Sequence, residues 1–451
     1  MNDRRSLPPF GFLGLLAAGA LAITAAARGQ TAPEDAGALT LRRAAELALE
    51  HAPQLAAQRA ARDEGSASAR VAADALHPSL WVSTTPGYSS GLPVSVAGSV
   101  PAYGAITLRQ TIYDPLKKFD SLEAQARSAE LEGAVTSGCA ETVRATVRAY
   151  ARSWTDERQA DAARRRLTAA DAALQRSLAL FDAGRVTEIE VERAKLQAAR
   201  SKQKLLNAES DRDLDGLELK RLVGWPASAP LRLSSETESA LLDVSAPDNL
   251  SAALTADPQL KSLGKQVELL GQYARISSKR WPTVEASVQY QRLPSYYSKY
   301  YNSFNENNFS VGVSVAIPIW AGGRLHDTEA RAIASVQRAE AERDARESDL
   351  EIGVRRAEAT VARAEAEHSL ARRAQGIAEQ DLVAGEALLR EGRSEAAAVD
   401  ERRMQLADAD EESAKTALSA LEERMNLLFL RGDLSRAVLG GEPPCAVPPA
   451  R

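Results

Sequence analysis

The side chains that most often supply nucleophiles, general bases and metal ligands are sparse in this chain, which has 451 residues but only four histidines and two cysteines. The histidines lie in different segments, so we expect them to be surface or packing residues. The cysteines have no metal-like spacing, so we expect two bystander thiols and leave a bridge between them open. No His-Glu-x-x-His motif or phosphate-cradling glycine loop occurs, and we predict no enzyme activity, cofactor or metal. The six residues are His51, His77, His326, His368, Cys139 and Cys445.

The composition favours long helices with narrow buried seams over ordinary globular cores. Hydrophobic residues make up 44% of the chain, but only 5% of residues are aromatic and 26% are charged. The net charge of −5 comes from 56 basic and 61 acidic residues, which does not provide a basic face large enough for nucleic acid. We therefore exclude nucleic acid as a partner.

The N-terminus has the pattern of an export signal. Arg4 and Arg5 precede an apolar stretch from Phe10 to Ala27, and small residues follow before a polar segment. This pattern predicts a cleaved signal peptide over residues 1–30, with a transmembrane anchor as the alternative. No later run of 18 apolar residues occurs, so any membrane span in the mature chain is not expected to be helical.

The second half of the chain repeats the first at an offset of about 205 to 208 residues. Pro53-Gln54-Leu55 returns as Pro258-Gln259-Leu260, and Gly184-Arg185 returns as Gly392-Arg393. Because breaks in backbone regularity recur in the same order, one structural unit has been duplicated. The predicted units are repeats at 39–224 and 250–432, an irregular linker at 225–249 and a proline-rich tail at 433–451.

Prolines divide each repeat into a mixed part and a helical part. None occurs between Pro115 and Pro226 or between Pro318 and Pro443, and each tract has one plausible turn at a glycine. Each tract is therefore predicted to be a helical hairpin, with a first arm of about 100 Å at ~1.5 Å per residue. Apolar residues at helical spacing indicate seams that pack on neighbouring helices.

The forty or so residues before each hairpin alternate between apolar and polar side chains. Val311, Val313 and Val315, for example, are separated by Gly312 and Ser314. A period of two predicts strands, either in a soluble sheet with one face on a core or in a barrel between lipid and water. Four strands cannot close a barrel, which needs about eight or more, so the barrel interpretation requires copies of the chain to pool their strands.

Tyrosines favour the barrel interpretation. Five of the ten tyrosines crowd one hairpin end, and aromatic residues favour the boundary between lipid and water. We expect these residues to lie at the membrane interface: Tyr290, Tyr296, Tyr297, Tyr300 and Tyr301.

Taken in order, these features resemble the TolC-like outer-membrane efflux proteins, also called outer membrane factors, over nearly the whole mature chain. The resemblance implies a mainly α fold of duplicated antiparallel hairpins in a coiled-coil α-barrel, with four strands given to a trimeric twelve-stranded β-barrel. It also implies a homotrimer in the outer membrane of a Gram-negative bacterium, contacting lipid, a periplasmic adaptor and an inner-membrane efflux or secretion pump. The matching features are the entries Leu49 to Pro53 and Leu254 to Pro258, the strand starts Pro78 and Pro282, and the turns Gly184 and Gly392.

The resemblance also assigns roles to residues at the two turns. Adaptors of the family touch the tips, which here are Gly184, Arg185, Val186, Thr187, Gly392, Arg393 and Ser394. Acidic rings can constrict the tunnel there, and the matching places are Glu190, Asp400 and Glu401, with Ala398 departing from the pattern. We expect either an acidic gate that favours cations or merely solvated helix charges.

The resemblance implies an exit duct of a tripartite efflux or type I secretion system. The alternative is a periplasmic coiled-coil adaptor or scaffold without a pore, although an adaptor has one hairpin between β-domains and this chain has two.

Overall fold

The computed structural model describes residues 38–84, 104–234, 250–277, 282–292, 305–317, 319 and 323–441. The predicted signal peptide lies outside these residues. The described elements in chain order are α1 (Leu41–His51), α2 (Pro53–Asp74), β1 (Ser79–Ser83), β2 (Gly104–Tyr113), α3 (Pro115–Asp182), α4 (Glu188–Val223), α5 (Leu250–Ala256), α6 (Pro258–Ser277), β3 (Thr283–Arg292), β4 (Asn307–Ala316), α7 (Arg324–Arg390), α8 (Ala396–Arg431) and α9 (Leu434–Leu439).

The two predicted hairpins are confirmed as α3 with α4 and α7 with α8. Their first arms contain 68 and 67 residues, which corresponds to about 100 Å of helix. The start of α3 is fixed locally, because Pro115 occupies its first turn and the Asp114 carboxylate accepts a hydrogen bond from the backbone N–H of Leu116 at 2.9 Å. No described helix is both long enough and apolar enough to cross a bilayer.

The sequence predicts one continuous opening helix in each repeat, from Leu41 to Leu76 and from Leu250 to Lys279, but in the structure each is interrupted. In both repeats a proline begins a second helix, Pro53 for α2 and Pro258 for α6. Proline cannot donate a backbone hydrogen bond inside a helix but is accepted in a first turn, so each one restarts the helix. The second break is also capped, because the Asp257 carboxylate accepts from the backbone N–H of Leu260 at 2.7 Å.

The helices form two rows of four that share α3 and α7. On the strand side the neighbours are α2, α3, α6 and α7, and on the turn side they are α4, α3, α8 and α7. Because α3 and α7 run through both rows, they tie the strand end of the molecule to its turns.

The core lies where the two rows meet. Leu55, Val143, Val147 and Leu428 are buried there among residues of α1, α2, α3 and α8. The buried Tyr150 hydroxyl donates to the carbonyl of Leu39 at 2.7 Å, which fixes the segment before α1 to α3.

The C-terminal segment is more regular than the sequence indicated. Residues after Gly432, expected to be irregular, include α9, whose Leu434 and Leu439 join the same core. Cys139 also lies in this core, 1% exposed, and is disulfide-bonded. The expectation of a bystander thiol at this position is therefore wrong, because helix packing hides the sulfur and its thiol is oxidised. Cys445 lies outside the described residues.

The strands form one antiparallel sheet in the order β1-β2-β3-β4, so β1 and β4 are its edges. Strands β2 and β4 run in the same direction, since each is antiparallel to β3. Both lead into a long helix, β2 into α3 and β4 into α7. The long helices therefore leave the same end of the sheet.

Candidate functional site

One face of the sheet is apolar and exposed. Residues directly opposite each other on neighbouring strands project to the same side of a sheet. The register aligns apolar side chains across all four strands, and on β4 they are 60–67% exposed. No described helix packs over these side chains, because a covering helix would have buried them. Two complete rows are Leu80, Leu108, Val288 and Val311, and Val82, Ile106, Tyr290 and Phe309.

The opposite face is polar and carries one charged pair among the described residues. The Arg109 guanidinium lies 3.9 Å from the Glu285 carboxylate, and both side chains are well exposed. Amide and hydroxyl groups lie near this pair, as in the row Thr107, Gln289 and Ser310, which the exposed indole of Trp81 completes on β1. An apolar outer face opposite a polar one is the pattern of a strand between lipid and water.

The sheet and the turn-side row of helices both end in elements that have one side open to solvent. The sheet ends in β1 and β4, and all ten residues of β4 are exposed. The turn-side row ends in α4 and α7, and these carry exposed apolar side chains along their length. Examples are Ile189, Leu196, Leu206 and Leu214 on α4, and Ile352, Leu370, Ile377 and Val383 on α7.

The two turns have the same backbone geometry. Gly184 and Gly392 have positive φ angles of 68° and 72°, a conformation that costs other residues energy. The amide of the next residue closes each turn by donating back to a helix carbonyl, Arg185 to Leu180 at 2.8 Å and Arg393 to Leu388 at 2.9 Å. The structure thus gives both glycines the helix-ending role expected of them.

The remaining residues named for the tips are exposed or half-buried at those turns. Arg185 and Thr187 are exposed on the first turn, and Val186 is half-buried between them. Arg393 is exposed on the second turn, where its guanidinium lies 3.5 Å from the Glu391 carboxylate. Ser394 beside it is half-buried.

The three acidic residues named for a gate lie in three different environments. Glu190 caps α4, because its carboxylate accepts from the backbone N–H of Thr187 at 2.8 Å. Asp400 is 1% exposed and forms ion pairs with Arg176 and Arg403. Of the three, Glu401 is the one whose carboxylate is exposed without a capping role.

Sequence reasoning missed the partners of Asp400, which belong to a charged seam between the two hairpins. Wherever a described ion pair joins the first hairpin to α8, the cation lies on the first hairpin and the carboxylate on α8. Because α3 and α8 are antiparallel, the residue numbers of two ion-pair partners add to nearly the same value along the whole contact. This constant sum is the sequence signal that could have identified the pairs. The pairs are Arg148 and Arg152 with Glu422, Arg165 with Asp410, Arg166 with Asp408, Arg176 with Asp400, and Lys204 with Asp408 and Glu411.

The residues considered for chemistry do not come together in the described part of the chain. No group there of three or more His, Cys, Asp or Glu side chains could hold a metal ion. Sequence reasoning overlooked one motif, Gly87 to Gly91, whose Gly-Tyr-Ser-Ser-Gly has the spacing of a hydrolase nucleophile turn. That motif is a hydrolase signature only in a turn from a strand into a helix, and these residues lie outside the described part of the chain.

Of the five interface tyrosines, the structure describes Tyr290. Its hydroxyl donates to the side-chain carbonyl of Asn307 at 2.8 Å, near the end of the sheet away from the long helices. Tyr296, Tyr297, Tyr300 and Tyr301 lie outside the described residues, so their interface role stays a prediction.

Comparison with known proteins agrees with this two-part geometry of exposed sheet and long hairpins. A sequence model of the outer membrane efflux proteins matches residues 44–225 and 249–433. The chain belongs to this family. The resemblance drawn from the residues is thereby confirmed, and the chain is an outer membrane efflux protein with a coiled-coil helical part and a β part. No curated protein sequence matches it.

Solved structures of outer-membrane channels share the fold. VceC from Vibrio cholerae is 16% identical with a TM-score of 0.71, covering 87% of this chain and 96% of that one. CmeC from Campylobacter jejuni is 13% identical with a TM-score of 0.70, covering 87% and 86%. The open state of the MtrE channel from Neisseria gonorrhoeae is 15% identical with a TM-score of 0.64, covering 87% and 89%.

Proposed function

We propose that three copies of this chain form one tunnel through which an efflux or secretion system exports substrates across the outer membrane. The observation that carries the proposal is that the sheet and the turn-side row of helices each have two open edges. In the sheet these edges are β1 and β4, and in the turn-side row they are α4 and α7. A layer with two open edges can close into a ring when identical copies are placed side by side.

Closing the sheets of three copies into one barrel explains why one face of the sheet is apolar and the other polar. Unpaired strand edges in hydrocarbon leave backbone donors and acceptors unsatisfied, so a membrane sheet has to form a barrel. Four strands are too few, whereas three copies give twelve, within the range of about 8 to 26 strands in bacterial barrels. The apolar rows that include Val288 and Val311 then face lipid, and the polar rows with Arg109 and Glu285 line the passage.

Closure also gives the exposed apolar residues of the helix edges a partner. The α4 of one copy lies against the α7 of the next, which buries residues such as Leu206 and Leu370. The helices then continue the passage for about 100 Å from the membrane, far enough to reach into the periplasm. We place the protein in the outer membrane of a Gram-negative bacterium, exported by its N-terminal signal.

We assign the hairpin tips to a periplasmic adaptor that connects the tunnel to an inner-membrane pump. The tips lie at the end farthest from the sheet and present Arg185 and Arg393 to solvent. Charge-reversed tips, Arg185→Glu with Arg393→Glu, should lose co-purification with the adaptor but keep wild-type conductance. Unchanged co-purification with the adaptor would show that these arginines do not contribute to the interface.

For the gate, the structure divides the acidic pair named from the sequence. Glu401 keeps an exposed carboxylate that can act on passing ions, so we propose it as the charge of an acidic constriction. Asp400 is neutralised by Arg176, and we propose that it holds the second hairpin against the first. Glu401→Gln should reduce cation preference in reconstituted channels, and an unchanged reversal potential would leave Glu401 as a solvated surface charge.

Planar-bilayer recording tests the conduit itself. Detergent-purified protein from outer membranes should give discrete conductance steps whose size does not depend on ATP or on any added substrate. The alternative, a periplasmic helical scaffold without a pore, predicts a protein that stays in the soluble periplasmic fraction and gives no conductance. The duct is favoured over the scaffold because the exposed apolar face of the sheet has no purpose in a soluble protein.

A further inference from the structure

An unusual carboxyl group lies in the seam between α3 and α4. The Asp156 side chain on α3 is only 8% exposed, and its Oδ2 atom is shielded from solvent and has no hydrogen-bond partner. Buried carboxylate oxygens are normally paired, because an isolated buried charge costs several kcal/mol or more. This atom therefore requires an explanation other than a conventional ion pair.

The groups that face Asp156 are mostly acidic. From α4, the Asp215 carboxyl lies within hydrogen-bonding distance and Asp211 lies one turn away. Arg152 on α3 provides the opposing positive charge, but its guanidinium also lies 3.0 Å from Glu422 of α8.

Two nearby cations on α4 are directed elsewhere. Arg212 pairs with the Asp213 carboxylate at 2.8 Å, and Lys220 donates to the carbonyl of Ala227 at 3.0 Å. The seam at Asp156 thus brings two carboxyl groups together without enough positive charge for both to ionise.

Two carboxyl groups within hydrogen-bonding distance can share one proton, because the protonated group donates to the ionised one. Burial, followed by the charge of Asp215, raises the pKa of Asp156 from 3.8 to about 7. At neutral pH the pair is therefore close to the midpoint of losing its proton.

We propose that Asp156 and Asp215 form a proton-operated clasp that holds α4 against α3 when protonated and loosens this seam when the proton leaves. The clasp lies within one chain, so it does not depend on the number of copies. It has a consequence for the tunnel because α4 is an edge helix, and loosening it moves the surface on which a neighbouring copy would pack.

The direction of the pH dependence follows from the raised pKa. A folded-state pKa above the unfolded value means that the clasp stabilises the seam fully below about pH 4, and that this stabilisation is lost as the pH rises through about 7. Acidification therefore tightens the first hairpin and alkaline conditions relax it.

Hydrogen exchange of the α4 backbone in the purified full-length protein measures this opening. After correction for the intrinsic exchange rate, protection around Asp215 should fall roughly thirtyfold between pH 5.5 and 8.5, if opening restores an ordinary carboxyl. In Asp156→Asn the amide replaces the protonated acid, so protection should stay nearly constant. Glu218→Gln, a change on α4 at an exposed carboxylate that pairs with Arg221 at 2.6 Å, is the matched control and should behave like the wild type.

Infrared spectroscopy provides a second, structural readout. The wild type should show a protonated-carboxyl band at pH 6.5 that Asp156→Asn lacks and Glu218→Gln keeps. The proposal is overturned if wild-type protection does not change with pH, if Asp156→Asn keeps the wild-type pH dependence, or if Glu218→Gln abolishes it. Bilayer conductance of the wild type tests the tunnel separately, so failure of the clasp and failure of the proposed function are distinguishable.

Discussion

Replacing Arg176 with methionine should destabilise the contact between the two hairpins. Arg176 on α3 pairs with Asp400 on α8, whose side chain is only 2% exposed. Methionine keeps much of the length of the arginine side chain but removes its charge. The substitution therefore leaves the Asp400 carboxylate buried with one cation fewer, while the backbone and helix propensities stay nearly unchanged.

The size of the effect follows from the burial of Asp400. Removing one partner of a buried ion pair typically costs about 3–5 kcal/mol, because the remaining charge is uncompensated. Arg403 lies 3.5 Å from the same carboxylate and is half exposed, so it offsets part of this cost. We expect the free energy of unfolding to fall by about 2–4 kcal/mol per chain.

Guanidinium titration of the detergent-solubilised protein measures this change, with Arg165→Met as the control. Arg165 pairs with Asp410 at 2.5 Å, but the Asp410 side chain is 15% exposed and Gln375 also donates to it, so the control should cost less, about 1–2 kcal/mol. The double variant Arg176→Met with Asp400→Leu should recover most of the loss, because an apolar pair can replace a buried ion pair. A loss below 1 kcal/mol for Arg176→Met, or no recovery in the double variant, would refute the reasoning.

Three further substitutions test other parts of the account. Gly184→Ala should destabilise the first turn by about 1–2 kcal/mol because φ is positive there, whereas Gly376→Ala inside α7 should be neutral or stabilising; equal effects in thermal melts would contradict this. Val313→Lys should lower the yield of folded, membrane-inserted protein by placing a charge in lipid, at a cost of about 2–4 kcal/mol, while Ser314→Lys on the polar face should be tolerated. Equal yields would argue against the barrel. Tyr150→Phe should cost about 1 kcal/mol through its lost 2.7 Å hydrogen bond, and an unchanged free energy of unfolding would show that bond to be neutral.

The sequence predicted the elements well where a simple periodicity governs them. Alternation in Val311, Val313 and Val315 identified a strand and its apolar face, and proline-free tracts with one plausible glycine turn each identified the hairpins. Duplication made these assignments firmer, since each break had a counterpart. The main error in the helices was the prediction of one continuous opening helix in each repeat. The apolar pattern continues across Pro53 and Pro258, but each proline occupies the first turn of a new helix.

The sequence could not predict which charges become buried between helices. Asp400 and Glu401 are adjacent in the chain, yet one is buried against Arg176 and the other is exposed. A 3.6-residue period turns successive residues by about 100°, so packing of α8 on α3 decides their difference. Asp156 was missed for the same reason, because its partner Asp215 is brought near by the folding of the hairpin.

The disulfide at Cys139 is a further feature that spacing could not decide. Its position inside α3 gave no indication that the short helix α9 would pack beside it. Only the folded arrangement of α3, α8 and α9 brings the C-terminal segment to this part of the core.

The central claim is that this chain closes its open edges with two further copies. Native mass spectrometry of the protein, extracted from outer membranes in detergent, measures the number of chains per particle directly. We expect particles of three chains that persist after removal of lipid. Single chains, or a copy number that leaves the sheet edges β1 and β4 unpaired, would contradict it.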